Sequence, residues 1–322
     1  MAQASGGEKL DKQKEQGCVR MGSWFSRLMM VAAVCLVSSE AMAQDMVEEE
    51  EETATLNATP DFSPGISAAG MGQAQNALSM GTNGVFNNPA GIARAYMFAL
   101  EGGFIYTDDG NVLSAAIVDS KTNPKIAAGV GFNYYFSRTA GLDLKGIDVR
   151  LPVAIPVVQD RVSVGVAGRY LKFNAGDIEV LNGFTLDAGA IFRVVDQLSV
   201  GISAKNLIDP CENATCQGWA PLLVGGGVSY AMTDLSLAAD VDADLTTSES
   251  ATLNIEVGGE YLVAKIVPIR LGFRRLGATE SNRATAGVGW RSQTAGLDLS
   301  YEHDFARSAF GQLFLGVSIY MQ

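Results

Sequence analysis

Few residues in this chain could carry out a reaction. There is one histidine, His303, and there are four cysteines among 322 residues. An imidazole can activate a serine hydroxyl only within hydrogen-bond reach. Ser300 and Ser308 are the serines nearest to His303 in sequence. No G-x-S-x-G, H-E-x-x-H or P-loop accompanies them. His303 therefore reads as a solvated or hydrogen-bonded residue at a strand end, and the chain as a non-enzyme with no cofactor and no metal. Cys211 and Cys216 stand in a C-x4-C spacing within "IDPCENATCQGWAP". With a single histidine to complete a metal set, a local disulfide is the expectation. Asn213-Ala214-Thr215 fits the glycosylation pattern, but a three-residue match carries little weight.

The remaining ionisable residues are patterned rather than clustered. In "LNIEVGGEY", Leu253, Ile255, Val257 and Tyr261 fall on one side of a period of two, with Asn254, Glu256, Gly258 and Glu260 on the other. "LSLAADVDADL" sets Ser236, Asp240, Asp242 and Asp244 against Leu235, Leu237, Ala239, Val241 and Ala243. "LDLSYEH" sets Asp298, Ser300 and Glu302 against Leu297, Leu299 and Tyr301. Adding Arg270, Arg274 and Arg291, the charges run acidic, acidic, basic, basic, acidic over successive runs. That order favours pairing between neighbouring strands.

The elements that must position these residues are short alternating runs separated by Gly, Asn, Asp, Ser and Pro clusters. About fourteen begin near Ala99, Val112, Ile126, Ile147, Val162, Phe184, Leu198, Leu223, Leu235, Leu253, Ile266, Ala284, Ala295 and Leu313. Alternation is shared with soluble sandwiches and propellers, but run length and connections point elsewhere. A tilted strand crosses a bilayer in about nine to eleven residues. From the fourth run onward the links alternate between tight ("VQD", "VDQ", "MTD", "VAK", "SQT") and longer ones ("NAGDIEVLNG", "LIDPCENATCQGWAP", "TTSESA", "LGATESNR"). This asymmetry predicts an all-β transmembrane antiparallel barrel with short periplasmic turns and longer external loops. Tyr134, Tyr135, Phe136, Tyr170, Tyr261, Trp290 and Tyr301 fall where an aromatic girdle is expected.

Compartment is read from the N-terminus. Arg20 and Arg27 precede the apolar run "LMMVAAVCLV", and Ala41-Met42-Ala43 follows it. The run is too short to span a membrane and reads as a signal peptide over 1–43, with 1–20 an over-extended start. Residues 44–64 read as an acidic periplasmic tail, 65–95 as a separate segment, and 96–322 as the barrel. The location expected is the outer membrane of a Gram-negative bacterium, in contact with its lipid. A formal charge of -12 opposes binding to nucleic acid.

"SAAGMGQAQNALSMGTNGVFNNPAGIARA", residues 67–95, has no helix or strand period. It resembles the N-terminal segment of the long-chain fatty-acid transporter superfamily of outer membrane proteins (FadL-like, including the PorV and PorQ branch). Gly70, Met71, Gly72, the Ala-rich segment after them, and Asn88, Pro89, Ala90 and Gly91 carry the likeness, with Asn87 helping to shape the turn. "IRLGFRR", "ATAGVGWRSQTAGLDLSYEHDF" and "GQLFLGVSIYMQ" are similar to its last hairpins. The resemblance implies a barrel of about fourteen strands with an N-terminal luminal hatch. Asp240, Asp242, Glu256, Glu260, Arg270, Arg274, Arg291, Asp298 and Glu302 would then face the lumen. Passive transport of small hydrophobic solutes is the expected function. The alternative is a PorV-like accessory barrel that binds exported proteins.

Overall fold

A computed structural model describes residues 65–107, 110–137, 143–211, 219–306 and 311–321. The expectations for the signal peptide, the acidic tail, Cys216, Asn213-Ala214-Thr215 and Ser308 fall outside these residues.

Fourteen strands form one closed antiparallel barrel. They are β1 (Phe98–Thr107), β2 (Gly110–Asp119), β3 (Ala127–Phe136), β4 (Leu144–Val158), β5 (Val162–Ala175), β6 (Ile178–Arg193) and β7 (Leu198–Lys205), followed by β8 (Leu223–Ala231), β9 (Leu235–Asp244), β10 (Thr252–Val263), β11 (Val267–Leu276), β12 (Ser281–Arg291), β13 (Ala295–Asp304) and β14 (Gln312–Met321). Each strand pairs with its sequence neighbour, and β1 closes on β14 with Phe98 opposite Met321 and Tyr106 opposite Leu313. Closure leaves no edge with unpaired backbone groups, the condition for spanning hydrocarbon with strands.

The period of two sorts the side chains. Leu297 and Leu299 on β13 are exposed, whereas Asp298, Ser300 and Glu302 are buried. The same holds on β9 and β10, where Leu237, Val241, Leu253 and Ile255 point out and Asp240, Asp242 and Glu256 point in. A soluble protein would invert this arrangement. An apolar outside around an ionised inside is stable only when the outside meets lipid. Among the described residues no helix is long and apolar enough to cross a membrane; the strands cross instead.

The loops depart from expectation in two places. The link after β5 is Gly176-Asp177 alone, with Gly176 at φ 58°, because the strands continue through "NAGDIEVLNG". The link after β11 contracts to residues 277–280, with Leu276 paired to Ser281. β4, β5 and β6 consequently reach 15, 14 and 16 residues, against 8 to 12 for the others. Long links on that side remain at 137–143, 206–222, 245–251 and 305–311. The tight links after β4, β6, β8, β10 and β12 are as expected.

Residues 65–95 form two short helices, α1 (Ile66–Ala69) and α2 (Thr82–Phe86), and a 3₁₀ turn at Pro89–Ala93. Ala68, Ala74, Asn88 and Ala90 are fully buried against the inner face of the barrel. Helix α1 touches β12, β13 and β14, α2 touches β1 to β4, and the 3₁₀ turn touches β3 to β6.

Candidate functional site

The inward charges form two paired lattices. In the first, Arg270 on β11 donates from Nε to Glu260 at 2.7 Å and from Nη1 to Asp298 at 2.5 Å, and Arg291 reaches Glu260 at 3.2 Å. Arg274 lies 3.6 Å from both Glu256 and Glu302. Arg283 completes this group, 2.7 Å from Glu302 and 3.3 Å from Asp304. The register produces these pairs by setting Glu260 opposite Arg270 and Glu256 opposite Arg274.

The second lattice escaped the sequence analysis. Asp148 on β4, fully buried, accepts from Arg150 and from Arg169 on β5, each at 2.9 Å. Arg169 also donates to Asn206 at 2.8 Å. The available signal was the alternation "IDVRLP", in which Asp148 and Arg150 share a face opposite Val149 and Leu151.

Asp240 and Asp242 do not join the ion pairs. They hold residues 65–95 instead: Asn76 donates its backbone N–H to Asp240 at 2.7 Å and its side-chain amide to Asp242 at 2.8 Å. Ser203 donates to the Asn76 carbonyl oxygen Oδ1 at 2.6 Å. Asn88 donates to the backbone carbonyls of Asn76 and Ile202, while its Oδ1 accepts from Ala90 and caps the 3₁₀ turn that Pro89 begins. The Asn87 amide bonds back to the Asn83 carbonyl. Elsewhere Thr82 donates to Glu101 at 2.6 Å and Arg150 donates to the Phe86 carbonyl at 2.6 Å. An irregular backbone would otherwise leave polar groups orphaned, and these bonds satisfy them.

Close approach is the second restraint. The chain turns at Gly72, whose φ is 63°, and its N–H reaches Thr285 at 3.0 Å. A Cβ there would meet the Phe273 and Val257 carbonyl oxygens at 2.7 and 2.8 Å. At Gly70 a Cβ would lie 2.8 Å from Ser300 Oγ, and at Gly91 2.7 Å from Ser79. Met71 and Ala90 are buried beside wall glycines. On the barrel side Gly131, Gly165, Gly189, Gly201, Gly258 and Gly272 each leave space that residues 65–95 occupy. No role in close packing was read from these strand glycines in the sequence, although glycine inside a strand marks close backbone approach.

The lumen is not charged throughout. At the end opposite the chain's entry into β1, Ile105, Val112, Leu171, Leu181, Phe314 and the rings of Tyr135, Phe173 and Trp219 form a buried apolar cluster that includes Ile66 and Ala69. Phe173 lies 5.3 Å from Tyr135 and 5.5 Å from Trp219 between ring centres. Tyr135 thus belongs to the interior and not to the girdle, because it shares a face with Asn133 while Tyr134 and Phe136 stack outward at 5.8 Å. Tyr261 and Trp290 are exposed as expected. Tyr301 and His303 lie side by side near the end of β13, and among the described residues the imidazole's hydrogen-bond partner is the Tyr301 hydroxyl at 3.4 Å. Cys211 packs at the rim of the apolar cluster.

No protein-family model matches the chain, and no curated protein matches it in sequence. Solved structures do match in fold. The toluene transporter TbuX of Ralstonia pickettii superposes with a TM-score of 0.59 at 13% identity, over 80% of this chain and 98% of that one. A FadL homologue of Pseudomonas aeruginosa gives 0.55 at 12% identity, over 79% and 95%. The toluene transporter TodX of Pseudomonas putida gives 0.55 at 11% identity, also over 79% and 95%. The chain is therefore a closed fourteen-stranded barrel with the fold of the FadL-like outer membrane transporters.

Proposed function

We propose that this protein lets small hydrophobic solutes cross the outer membrane passively, with residues 65–95 as a luminal hatch. The observation that carries the proposal is the apolar cluster packed on Ile66 and Ala69. A polar pore has no reason to bury Phe173, Trp219 and Phe314 at its mouth. An apolar solute gains roughly 25 cal/mol for each Å² it removes from water there. Charged nutrients would lose hydration without a partner. TbuX and TodX, toluene transporters of the same fold, agree with this substrate class.

Gly70, Met71, Gly72, Asn87, Asn88, Pro89, Ala90 and Gly91 would shape the hatch. Asp240 and Asp242 would fasten it, and Glu256, Glu260, Arg270, Arg274, Arg291, Asp298 and Glu302 would brace the wall behind it. A Cys211–Cys216 disulfide would stiffen the loop that delivers Trp219, and intact-mass measurement with and without reductant tests it. The accessory-barrel reading, with an exported-protein partner, gains no support from any feature of the described residues.

The test is uptake of a hydrophobic solute into liposomes carrying refolded protein, beside planar-bilayer conductance of the protein lacking residues 68–94. Uptake by the intact chain and a large open conductance in the deletion are expected. A sealed intact barrel that takes up no solute overturns the transport reading, and an unchanged conductance in the deletion overturns the hatch.

A further inference from the structure

At the opposite end of the lumen, beside the tight turn after β4, a small cleft opens between residues 65–95 and the wall. It is lined by Arg94, Arg161, Ser163, Ile191, Arg193 and Asp160, among others. Three guanidinium groups on one cleft are unusual in a chain of net charge -12, and their partners are more so. Arg94 donates only to neutral oxygens, namely the carbonyls of Ala77 and Ser79 and the Ser199 hydroxyl. Among the described residues no carboxylate reaches Arg94 or Arg193. Arg161 is exposed and reaches Asp196 at 3.5 Å. Asp160 is exposed too, so water screens its charge.

Burial, and then the neighbouring Arg193 charge, lower the Arg94 guanidinium to about 10, which still leaves it protonated at neutral pH. Within the cleft Arg94 and Arg193 therefore repel one another with no carboxylate bonded to either among the described residues, while Asp160 and Asp196 lie exposed at its rim. Ser163 faces the same cleft from β5; it is 5% exposed and its hydroxyl has no hydrogen-bond partner among the described residues. A buried hydroxyl without a partner is costly unless something occupies the space in front of it.

We propose that this cleft is an oxyanion site, in which a phosphate-type group accepts from Arg94, Arg193 and the Ser163 hydroxyl and so ties the end of residues 65–95 to β5 and β6. Guanidinium forks match tetrahedral oxyanions well, and charge-assisted bonds of this kind are roughly twice as strong as neutral ones. The proposal does not depend on what the barrel transports. The phosphate could be free or the headgroup of a membrane lipid, since both present the same oxygens.

The experiment uses full-length protein in a phosphate-free glucoside detergent. One arm titrates inorganic phosphate at constant ionic strength by calorimetry. The other adds phosphatidylglycerol and counts retained lipid by native mass spectrometry. Saturable phosphate binding that weakens about tenfold in Arg193→Gln and in Ser163→Ala supports a free-anion site. Retention of phosphatidylglycerol that these variants lose, without phosphate binding, supports the same site filled by a lipid. Binding of neither ligand, or equal binding in wild type and both variants, overturns the proposal. Lys125→Gln removes an exposed cation that does not line the cleft and should leave binding within about twofold.

Discussion

The two ends of the lumen are built on different physics. At one end Phe173, Trp219, Tyr135 and Phe314 meet Ile66 through apolar contact, which has no preferred direction and accepts a substitute of similar shape. Further in, Asn76, Asn88 and Gly72 are fixed by hydrogen bonds between 2.6 and 3.1 Å, and the wall behind them by buried ion pairs. Such bonds have a specified geometry and are lost discretely. The first region can yield to an apolar guest while the second holds its position.

The largest effect should come from breaking a lattice from within. Arg270→Ala would leave Glu260 and Asp298 buried without their shared cation, and unfolding in urea should lose about 4 kcal/mol. Phe173→Ala should cost about 3 kcal/mol by opening a cavity in the apolar end. It should also alter solute uptake while conductance stays closed; a leak in this variant would erase the distinction between the two regions. Gly72→Ala, at φ 63° and facing two carbonyl oxygens, should cost about 2 kcal/mol and raise resting conductance. Lys145→Ala removes an exposed pair with Asp143 and should shift stability by less than about 1 kcal/mol.

All fourteen strands could be read from the sequence because period-two alternation is local and repeated. The miss at β6, placed near Phe184 rather than Ile178, has a local cause as well. Asn174, Gly176, Asp177, Asn182 and Gly183 look like one loop, yet only Gly176-Asp177 turns. Asn182 lies on the strand with its amide on Glu179, and Gly183 makes room for the Pro210 carbonyl. The inward charges of β9 to β13 were legible from their alternation with leucine and valine. Their partners were less so, since Asp240 and Asp242 look like Glu256 in sequence but serve Asn76, a residue more than 160 positions away. The tyrosine at 135 was misplaced because an aromatic near a strand end suits either face until the register is known.

The position of residues 65–95 in the chain bears on the order of assembly. They are made before any strand, yet Ser300 bonds to the carbonyl of Ile66 across 234 positions, and Thr285 to Gly72 across 213. Contacts of such separation are slow to form because the intervening chain must be closed first. A stretch that emerges ahead of every strand would thus have one end among the last parts to find its place. Helix α2 and the 3₁₀ turn can settle on β1 to β6 early, but α1, whose partners are β12 to β14, would have to stay unanchored until the last strands are in place.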